Sequence, residues 1–428
     1  MGAAAAQRRI ARPARRGSRD MHTRIITRQR CRIRRRAALA AVGLALGGVA
    51  LSGCAGGAAG GSGDPAVDES AARPSMIQRP EAPAGALPEE LQRALDAALD
   101  QTRARYGVPG AAAGVWIPDE GSWTTAVGVA DAERDTAVTE DMSWPIRSIT
   151  KSYTVTLLLQ LADEGALSLD DTLDQYVDGV THGDEITLLQ LANMSSGIAD
   201  YVTEAFMTRF AADPAHVYSL AELNAGVVGQ PAQFAPGTEF VYTNANTNLL
   251  GAVIEQVTGQ PYADVLQDRI LDPLEQRDTH YITDVAKWTA PHPVGYQPDP
   301  DTGELAPQDQ NPSILGAAGA LFSTLDDGRV WAETLGSGAL VTSETQALRE
   351  IGHQIEKPPY DLYAVGMGET DGWLGHNGEG IGFTAATFHD PGSGASIVVY
   401  MNASNLPDHA HPADQAFRAL AAVVRDRG

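Results

Sequence analysis

The chain has 428 residues, with 31 basic and 54 acidic side chains and a formal charge of −23. Thirteen arginines and one aspartate lie in residues 1–53, so the chain beyond them has 18 bases, 53 acids and a formal charge of −35. A field of that sign repels nucleic acids and anionic lipid headgroups, which argues against a polynucleotide-binding function. It also disfavours strongly anionic substrates unless a local cationic pocket exists.

The N-terminal 53 residues have the composition of a signal peptide. An arginine-rich stretch precedes the uncharged run Ala37–Ala50, which is too short to span a bilayer comfortably. The sequence Leu51-Ser52-Gly53-Cys54 resembles the bacterial lipobox, in which the cysteine is lipidated after cleavage. We therefore expect an exported lipoprotein on the outer face of the cell membrane, held there by lipid on Cys54. A plain signal peptide with an incidental cysteine is the alternative, and the export route stays open.

The segment 54–88 is rich in Gly, Ala, Ser, Pro and Glu and predicts a flexible tether. Residues 89–428 are long enough for one enzyme domain or two closely packed lobes. Cys31 is lost with the signal peptide and Cys54 would be lipidated. No thiol then remains for a disulfide, a zinc site or a nucleophile.

Hydrophobic periodicity predicts strands near both ends of the folded part and helices between them. The predicted strands are Ala111–Ile117, Trp123–Val129, Phe383–His389 and Ala395–Asn402, and the predicted helices include Leu91–Tyr106, Thr150–Glu164, Thr247–Thr258 and about Ala413–Arg425. Distant segments would then complete one antiparallel sheet. The expected fold class is α/β or α+β, an antiparallel sheet flanked by helices with an inserted, mainly helical lobe at about 171–285.

Ser148 and Lys151 form the first motif that carries chemistry, S-x-x-K, at the start of an apolar helix that ends at Gly165. Residues three apart lie on the same helical face. A hydroxyl needs an adjacent base to become a nucleophile, and a lysine desolvated by apolar neighbours can lose its proton. A helix N-cap beside a solvated charge would give the same spacing. Because the chain contains only three lysines, we favour the catalytic interpretation.

Two further segments contain polar groups that suit the same chemistry. In Tyr242-Thr243-Asn244, a phenol near a lysine can pass a proton to a leaving group, and the amide can hold the lysine or a substrate carbonyl. His376-Asn377-Gly378 opens the C-terminal hairpin, where glycine lets a ligand lie against the strand. Each pattern is weak alone, since a buried tyrosine or a lone histidine is usually structural. No histidine stands in a metal-binding pattern, so we expect neither metal nor cofactor.

In their order and spacing, the three motifs resemble those of the penicillin-recognising serine enzymes, S-x-x-K, then S-x-N or Y-x-N, then K-T-G or H-T-G. Tyr242 makes the chain similar to class C β-lactamases, D-alanyl-D-alanine carboxypeptidases of actinobacterial type and related esterases. The resemblance covers about residues 95–425, including 157–169, 186–197 and 317–324.

This resemblance implies an acyl-enzyme mechanism. Ser148 attacks a carbonyl, Lys151 accepts its proton, and Tyr242 relays a proton to the leaving group. Asn244 orients these groups, and the backbone N–H groups of Ser148 and Glu379 form the oxyanion hole. The third motif contacts or orients the substrate through His376, Asn377 and Gly378.

Departures from the family pattern bear on the substrate. Asn377 lacks the hydroxyl that helps to hold a substrate carboxylate, and His376 is mostly neutral above its reference pKa of about 6.5. Arg147 replaces the family's glycine before the nucleophile, without an evident effect on the mechanism. No arginine stands in residues 363–369, where the carboxypeptidases carry one. We therefore expect neutral activated esters to be cleaved better than carboxylate-bearing peptides or penicillins.

Several functions remain open at this point. The chain could hydrolyse amides or β-lactams as a carboxypeptidase or β-lactamase, or it could be an esterase; the substrate would be a small molecule or a peptide. A catalytically silent lipoprotein that binds cell-wall peptides is the alternative from another class. Intact Ser148, Lys151 and Tyr242 argue against it, because a silent protein has no physical need for all three. The oligomeric state stays open.

The lipobox interpretation predicts that Cys54→Ser releases the protein from membranes, because a serine cannot form the thioether to lipid. Membrane fractionation of cells that express each form measures this. Cys31→Ser is the matched control and should leave the distribution unchanged, since Cys31 is removed with the signal peptide. Unchanged membrane association of Cys54→Ser would refute the anchor.

Overall fold

A computed structural model describes residues 78–355 and 359–426 of the chain. The predicted signal peptide, the lipidation site Cys54 and residues 54–77 of the expected tether lie outside the described residues. No helix in the two described ranges is both long and apolar enough to cross a membrane.

The main sheet joins the two ends of the folded chain. The strands are β1 (Gly110–Ile117), β2 (Gly121–Asp131), β3 (Thr136–Ala137), β4 (Trp144–Pro145), β5 (His280–Tyr281), β6 (Tyr296–Pro298), β7 (Leu305–Pro307), β8 (Leu321–Ser323), β9 (His353–Gln354), β10 (Leu362–Tyr363), β11 (Gly368–Thr370), β12 (Trp373–Gly380), β13 (Phe383–His389) and β14 (Ser396–Met401). Nine of them form one antiparallel sheet in the order β3-β2-β1-β14-β13-β12-β11-β10-β9. The pairing of β1 with β14, in the register Ala111 opposite Met401, confirms the prediction that distant segments complete one sheet.

Helices cover both faces of this sheet. They are α1 (Glu89–Tyr106), α2 (Thr150–Asp163), α3 (Leu188–Ala192), α4 (Glu204–Ala212), α5 (Leu220–Ala225), α6 (Asn244–Thr258), α7 (Tyr262–Leu266), α8 (Leu325–Ser337), α9 (Ser343–Arg349) and α10 (Pro412–Arg425). On one face α1 and α10 bury Leu95, Leu99 and Phe417 against the sheet, and on the other α8 buries Trp331 against β13 and β14. Burial on both faces explains why β1 is buried along its whole length.

Helix α2 is the centre of the helical part. Eleven of its 14 residues are buried, so it is enclosed on nearly all sides. Its N-terminus is fixed by β8, because Ile146 N donates to Leu321 O at 3.0 Å and Leu321 N donates to Thr150 Oγ1 at 3.2 Å. The sheet and the enclosed helix confirm the expected α/β fold class and place the turn that contains Ser148 beside β12.

The end of the segment predicted as a tether is packed on the domain, which corrects the boundary at residue 88. Leu87 is buried, and its N–H donates to Ser122 O at 3.0 Å. Arg79 forms ion pairs with Asp326 and with the buried Asp327, and Arg329 donates to Pro80 O at 2.9 Å. A composition poor in large apolar residues predicted flexibility, but side-chain contacts of Arg79 and Leu87 and backbone contacts of Pro80 and Gly85 hold this segment on the domain.

The Arg79 contacts predict that Arg79→Ala lowers the free energy of unfolding by about 1–2 kcal/mol, because the buried Asp327 loses a charged partner. Chemical denaturation measures this change. Arg277→Ala is the control: its pair with Glu275 is exposed on both sides and should contribute less than about 0.5 kcal/mol. Equal effects of the two substitutions would show that residues 78–88 do not contribute to stability through Arg79.

Candidate active site

Ser148 and Lys151 lie together where a 3-10 turn, Arg147–Ile149, leads into α2. Lys151 Nζ lies 3.1 Å from Ser148 Oγ, as the three-residue spacing predicted. Lys151 is fully buried, whereas Ser148 is partly exposed and lines a cavity. The amine is therefore shielded from water while the hydroxyl is accessible to a ligand.

The partners of Lys151 fit a neutral amine. Besides Ser148, its Nζ contacts Asn244 Oδ1 at 2.8 Å and Ala318 O at 2.9 Å, and both of these oxygens are acceptors only. A neutral amine has two N–H groups for these oxygens and one lone pair for the Ser148 hydroxyl proton. Burial lowers the pKa of Lys151 to about 7, although the charge of Asp200 opposes this shift. The site therefore holds a base next to the serine near neutral pH.

Tyr242 and Asn244 complete this group from the start of α6. The ring of Tyr242 lies 4.9 Å from Lys151 Nζ, and its hydroxyl interacts with Ser148. Tyr242 is 38% exposed; the partial burial of its phenol raises the pKa, so the hydroxyl is protonated at neutral pH. Asn244 is fixed by its own backbone N–H, which donates to Asp200 Oδ2 at 2.9 Å. The structure thus brings the first two sequence motifs into one hydrogen-bonded cluster.

His376 occupies a more enclosed position than the sequence suggested. It is fully buried, with Nδ1 3.0 Å from the Tyr360 hydroxyl and Nε2 3.2 Å from the Tyr363 hydroxyl. Burial lowers its pKa to about 3, so the ring is neutral. The sequence predicts that His376 binds or orients the substrate. Because the ring is enclosed, we infer that it acts by orienting Tyr360 and Tyr363, which line the cavity.

Asn377 is also held by Tyr360. Its Oδ1 accepts from the Tyr360 hydroxyl at 2.6 Å, and its backbone N–H donates to the same hydroxyl at 2.9 Å. Its Nδ2 is buried and has no partner among the residues that the structure describes. The oxygen of the amide that replaces the family's hydroxyl is therefore hydrogen-bonded within the protein, to Tyr360.

Gly378 and Glu379 bring the end of β12 against the nucleophile. A Cβ at Gly378 would lie 2.2 Å from Ile146 O and 3.0 Å from Ser148 N, so only glycine fits there. Asn377 directs its N–H to Tyr360, on the side where β11 and β10 lie. Because a strand repeats every two residues, the N–H of Glu379 faces the same side. Glu379 lines the cavity together with Ser148.

The cavity in front of Ser148 has a volume of about 1090 Å³. Its lining includes five aromatic residues, Tyr106, Phe240, Tyr242, Tyr360 and Tyr363. It also includes three acidic residues, Glu379, Asp408 and Asp414, of which Asp414 is buried and paired with Arg418, and Arg105 is the one lysine or arginine among the described lining residues. No cluster of three potential metal ligands occurs within residues 78–355 and 359–426.

Sequence reasoning missed several groups of this site. The Ala318 carbonyl lies in a segment that had been matched to the family, but a backbone acceptor leaves no signal in residue type. Asp200 and the two tyrosines that enclose His376 belong to no motif. The proximity of Tyr360 and Tyr363 to His376 follows from the pairing of β10, β11 and β12.

Comparison with known proteins identifies a family model and relatives that match most of the described chain. The family model described as Beta-lactamase matches residues 95–421. A D-aminopeptidase of Brucella anthropi is 29% identical over 317 residues, which cover 72% of this chain and 59% of that protein. The chain thus spans less than two thirds of this relative.

Two solved structures extend the comparison. A D-stereospecific amidohydrolase from Streptomyces is 29% identical with a TM-score of 0.67, and the match covers 77% of this chain and 97% of that one. A D-amino acid amidase from Ochrobactrum anthropi in complex with D-phenylalanine is 22% identical with a TM-score of 0.69, over 79% of this chain and all of that one. At this identity, the amidase match supports the fold alone.

The geometry of Lys151 predicts that Ser148 reacts faster with an activated phosphonate probe as pH rises, with a midpoint near pH 7. Below that value Lys151 is protonated and cannot accept the hydroxyl proton; above it the amine is neutral. Asp200→Asn should move the midpoint to lower pH, because the Asp200 charge raises the pKa of Lys151. A flat profile between pH 5 and 9 would contradict a titrating base.

Substitution of the base gives a second test. Lys151→Arg keeps the charge but cannot deprotonate, so the rate of Ser148 modification should fall by roughly 10³-fold or more. Lys287→Arg, at an exposed lysine, is the matched control. Circular dichroism should show both variants folded. Near-normal reactivity of Lys151→Arg would mean that another group activates Ser148.

Proposed function

The chain belongs to the Beta-lactamase family, and we propose that it is a serine hydrolase. Its substrates would be small amides, in particular amides of D-amino acids, which form an acyl-enzyme on Ser148. The observation that carries the proposal is the placement of Lys151 between two acceptor oxygens and the Ser148 hydroxyl. That arrangement serves proton abstraction, and no structural purpose requires a buried amine there.

In the proposed reaction, Ser148 Oγ forms a bond to the substrate carbonyl carbon while its proton moves to Lys151 Nζ. The negative charge on the carbonyl oxygen is stabilised by the N–H groups of Ser148 and Glu379. Collapse of this intermediate breaks the C–N bond, and the leaving amine takes a proton through Tyr242. Water then attacks the acyl-enzyme, and the proton that it releases returns to Ser148 Oγ as the acid leaves.

The lining of the cavity supports a substrate that combines an apolar side chain with a positive charge. The aromatic lining suits a large apolar group, as in D-phenylalanine derivatives. Asp414 is paired with Arg418, but Glu379 and Asp408 favour an ammonium over a carboxylate, in keeping with the −35 charge of the chain beyond residue 53. The D-aminopeptidase and D-stereospecific amidohydrolase relatives have names that fit such a substrate.

This assignment predicts that D-phenylalanine amide is hydrolysed with a higher kcat/KM than N-acetyl-D-phenylalanine amide. A unit charge within about 6 Å of a carboxylate contributes roughly 1–3 kcal/mol at the effective dielectric of a protein surface, which corresponds to about tenfold or more. The L-enantiomer of the amide serves as the control for stereospecificity. A clear preference for the N-acetyl compound would contradict an ammonium-binding cavity.

The acidic lining of the cavity should also disfavour a carboxylate on the leaving-group side of the substrate. Activated esters without a carboxylate should be cleaved with a higher kcat/KM than matched D-alanyl-D-alanine peptides or penicillins. Measured pairs should share the acyl group and differ only in the carboxylate. A preference for the carboxylate-bearing partner would mean that Arg105 or another cation binds it.

The silent binding protein remains the competing function, and ester hydrolysis the competing reaction. Mass spectrometry of the intact protein after exposure to a fluorescent penicillin and, separately, to an activated ester distinguishes them. The wild type should gain the mass of an acyl group from the ester, and Ser148→Ala should gain none. Absence of any adduct under conditions that label other serine hydrolases would favour the silent protein.

We also propose that the enzyme is an exported lipoprotein on the outer face of the membrane, with no nucleic-acid partner. The arginine-rich N-terminus, the apolar run and the lipobox ending at Cys54 support this location. A substrate containing D-amino acids fits it, since bacterial cell-wall peptides contain such residues outside the membrane.

A further inference from the structure

Arg147, the residue before the nucleophile, has an unusual backbone conformation. Its φ is +52°, in the left-handed region that an arginine rarely adopts. Such strain persists only where the surrounding contacts hold the residue in place. The side chain supplies these contacts.

The guanidinium of Arg147 is fully buried, and no described residue provides an acidic partner for it. Its Nε donates to Gly380 O at 3.0 Å and its Nη2 donates to Gln310 Oε1, whereas its Nη1 is buried without a partner in the described part of the chain. The charge lies over the ring of Phe383 at 5.6 Å. Burial lowers the pKa of this arginine to about 9. A buried cation held by neutral groups is costly, so an apolar side chain would satisfy packing alone at least as well.

The contacts of Arg147 join the two sides of the catalytic centre. The residue precedes Ser148 directly, and its side chain holds Gly380, the residue directly after Glu379. Gln310 continues the link, because its Nε2 donates to Ile381 O at 2.9 Å. The two backbone N–H groups of the proposed oxyanion hole are therefore connected by one side chain.

We propose that Arg147 is a positioning residue that fixes the Ser148 and Glu379 N–H groups relative to each other and thereby sets the rate of acylation, not the affinity for substrate. The inference rests on the proposed function. Because oxyanion stabilisation depends on donor placement within a fraction of an ångström, loss of this link should slow acylation by roughly 10- to 100-fold.

Burst kinetics with a neutral p-nitrophenyl ester separate the maximal acylation rate from the half-saturating concentration. Arg147→Lys keeps the positive charge but loses the planar guanidinium that donates to both Gly380 and Gln310. Arg147→Gly relieves the backbone strain and removes these contacts. Both substitutions should lower the maximal acylation rate and leave the half-saturating ester concentration within about twofold of the wild-type value. The affinity of a boronic acid, which mimics the tetrahedral intermediate, should fall with the rate.

Arg349 offers a matched control. It is also buried, has no acidic partner among residues 78–355 and 359–426, and its pKa is also lowered to about 9. It donates to Thr156 Oγ1 at 2.7 Å and to the carbonyl oxygen of Ser152, the residue directly after the catalytic lysine, at 3.2 Å. Arg349→Lys should lower thermal stability by a similar amount without a selective loss of acylation rate. Equal rate losses for the two arginines, or a loss confined to half-saturation, would overturn the proposal.

Two further measurements keep the test decisive. If the Arg147 variants do not fold, Gln310→Leu removes only the outer half of the link and should still slow acylation several-fold; an unchanged rate in this variant would refute the inference. Wild-type protein that releases no more p-nitrophenol than Ser148→Ala, in a burst or in steady turnover, refutes the proposed function itself. The two failures are thus distinguishable.

Discussion

The burial of one amine, that of Lys151, is the constraint on which the rest of the site depends. A buried lysine loses its proton because desolvation disfavours the charged form, and Asn244 and Ala318 accept from the two N–H groups that the neutral amine keeps. Its remaining lone pair is then directed to Ser148. Asp200 limits how far the pKa of Lys151 falls. Catalytic competence near neutral pH is therefore a balance between desolvation and one nearby carboxylate.

The sheet provides the second half of the site. Pairing of the two ends of the chain places β12 beside the turn that carries Ser148, and the contact is so close that Gly378 cannot carry a side chain. Arg147 then connects this turn to the residue after Glu379. Strain and burial of a cation are both tolerated at Arg147, next to the nucleophile. Such costs are commonly retained where geometry matters for function.

The charge of the cavity lining supports the substrate proposed for this chain. Glu379 and Asp408 line the cavity, Asp414 is paired with Arg418, and the hydroxyl expected at position 377 is replaced by an amide bound to Tyr360. The neutral, enclosed His376 adds no positive charge. These features act in the same direction as the acidic composition of the chain, and together they favour cationic or neutral substrates.

Local patterns in the sequence were sufficient for the fold class, the strands at both ends of the domain and the pairing of Ser148 with Lys151, because strand periodicity and helical spacing are properties of short segments. The inclusion of Tyr242 and Asn244 in the same cluster came from the resemblance to the penicillin-recognising serine enzymes. The Ala318 acceptor, the tyrosines around His376, the packing of Arg79 and the link through Arg147 were not predictable in this way. Lys151 and Ala318 are 167 positions apart, and a backbone carbonyl has no residue type to recognise. Contacts of this kind exist only after the chain path has brought distant segments together.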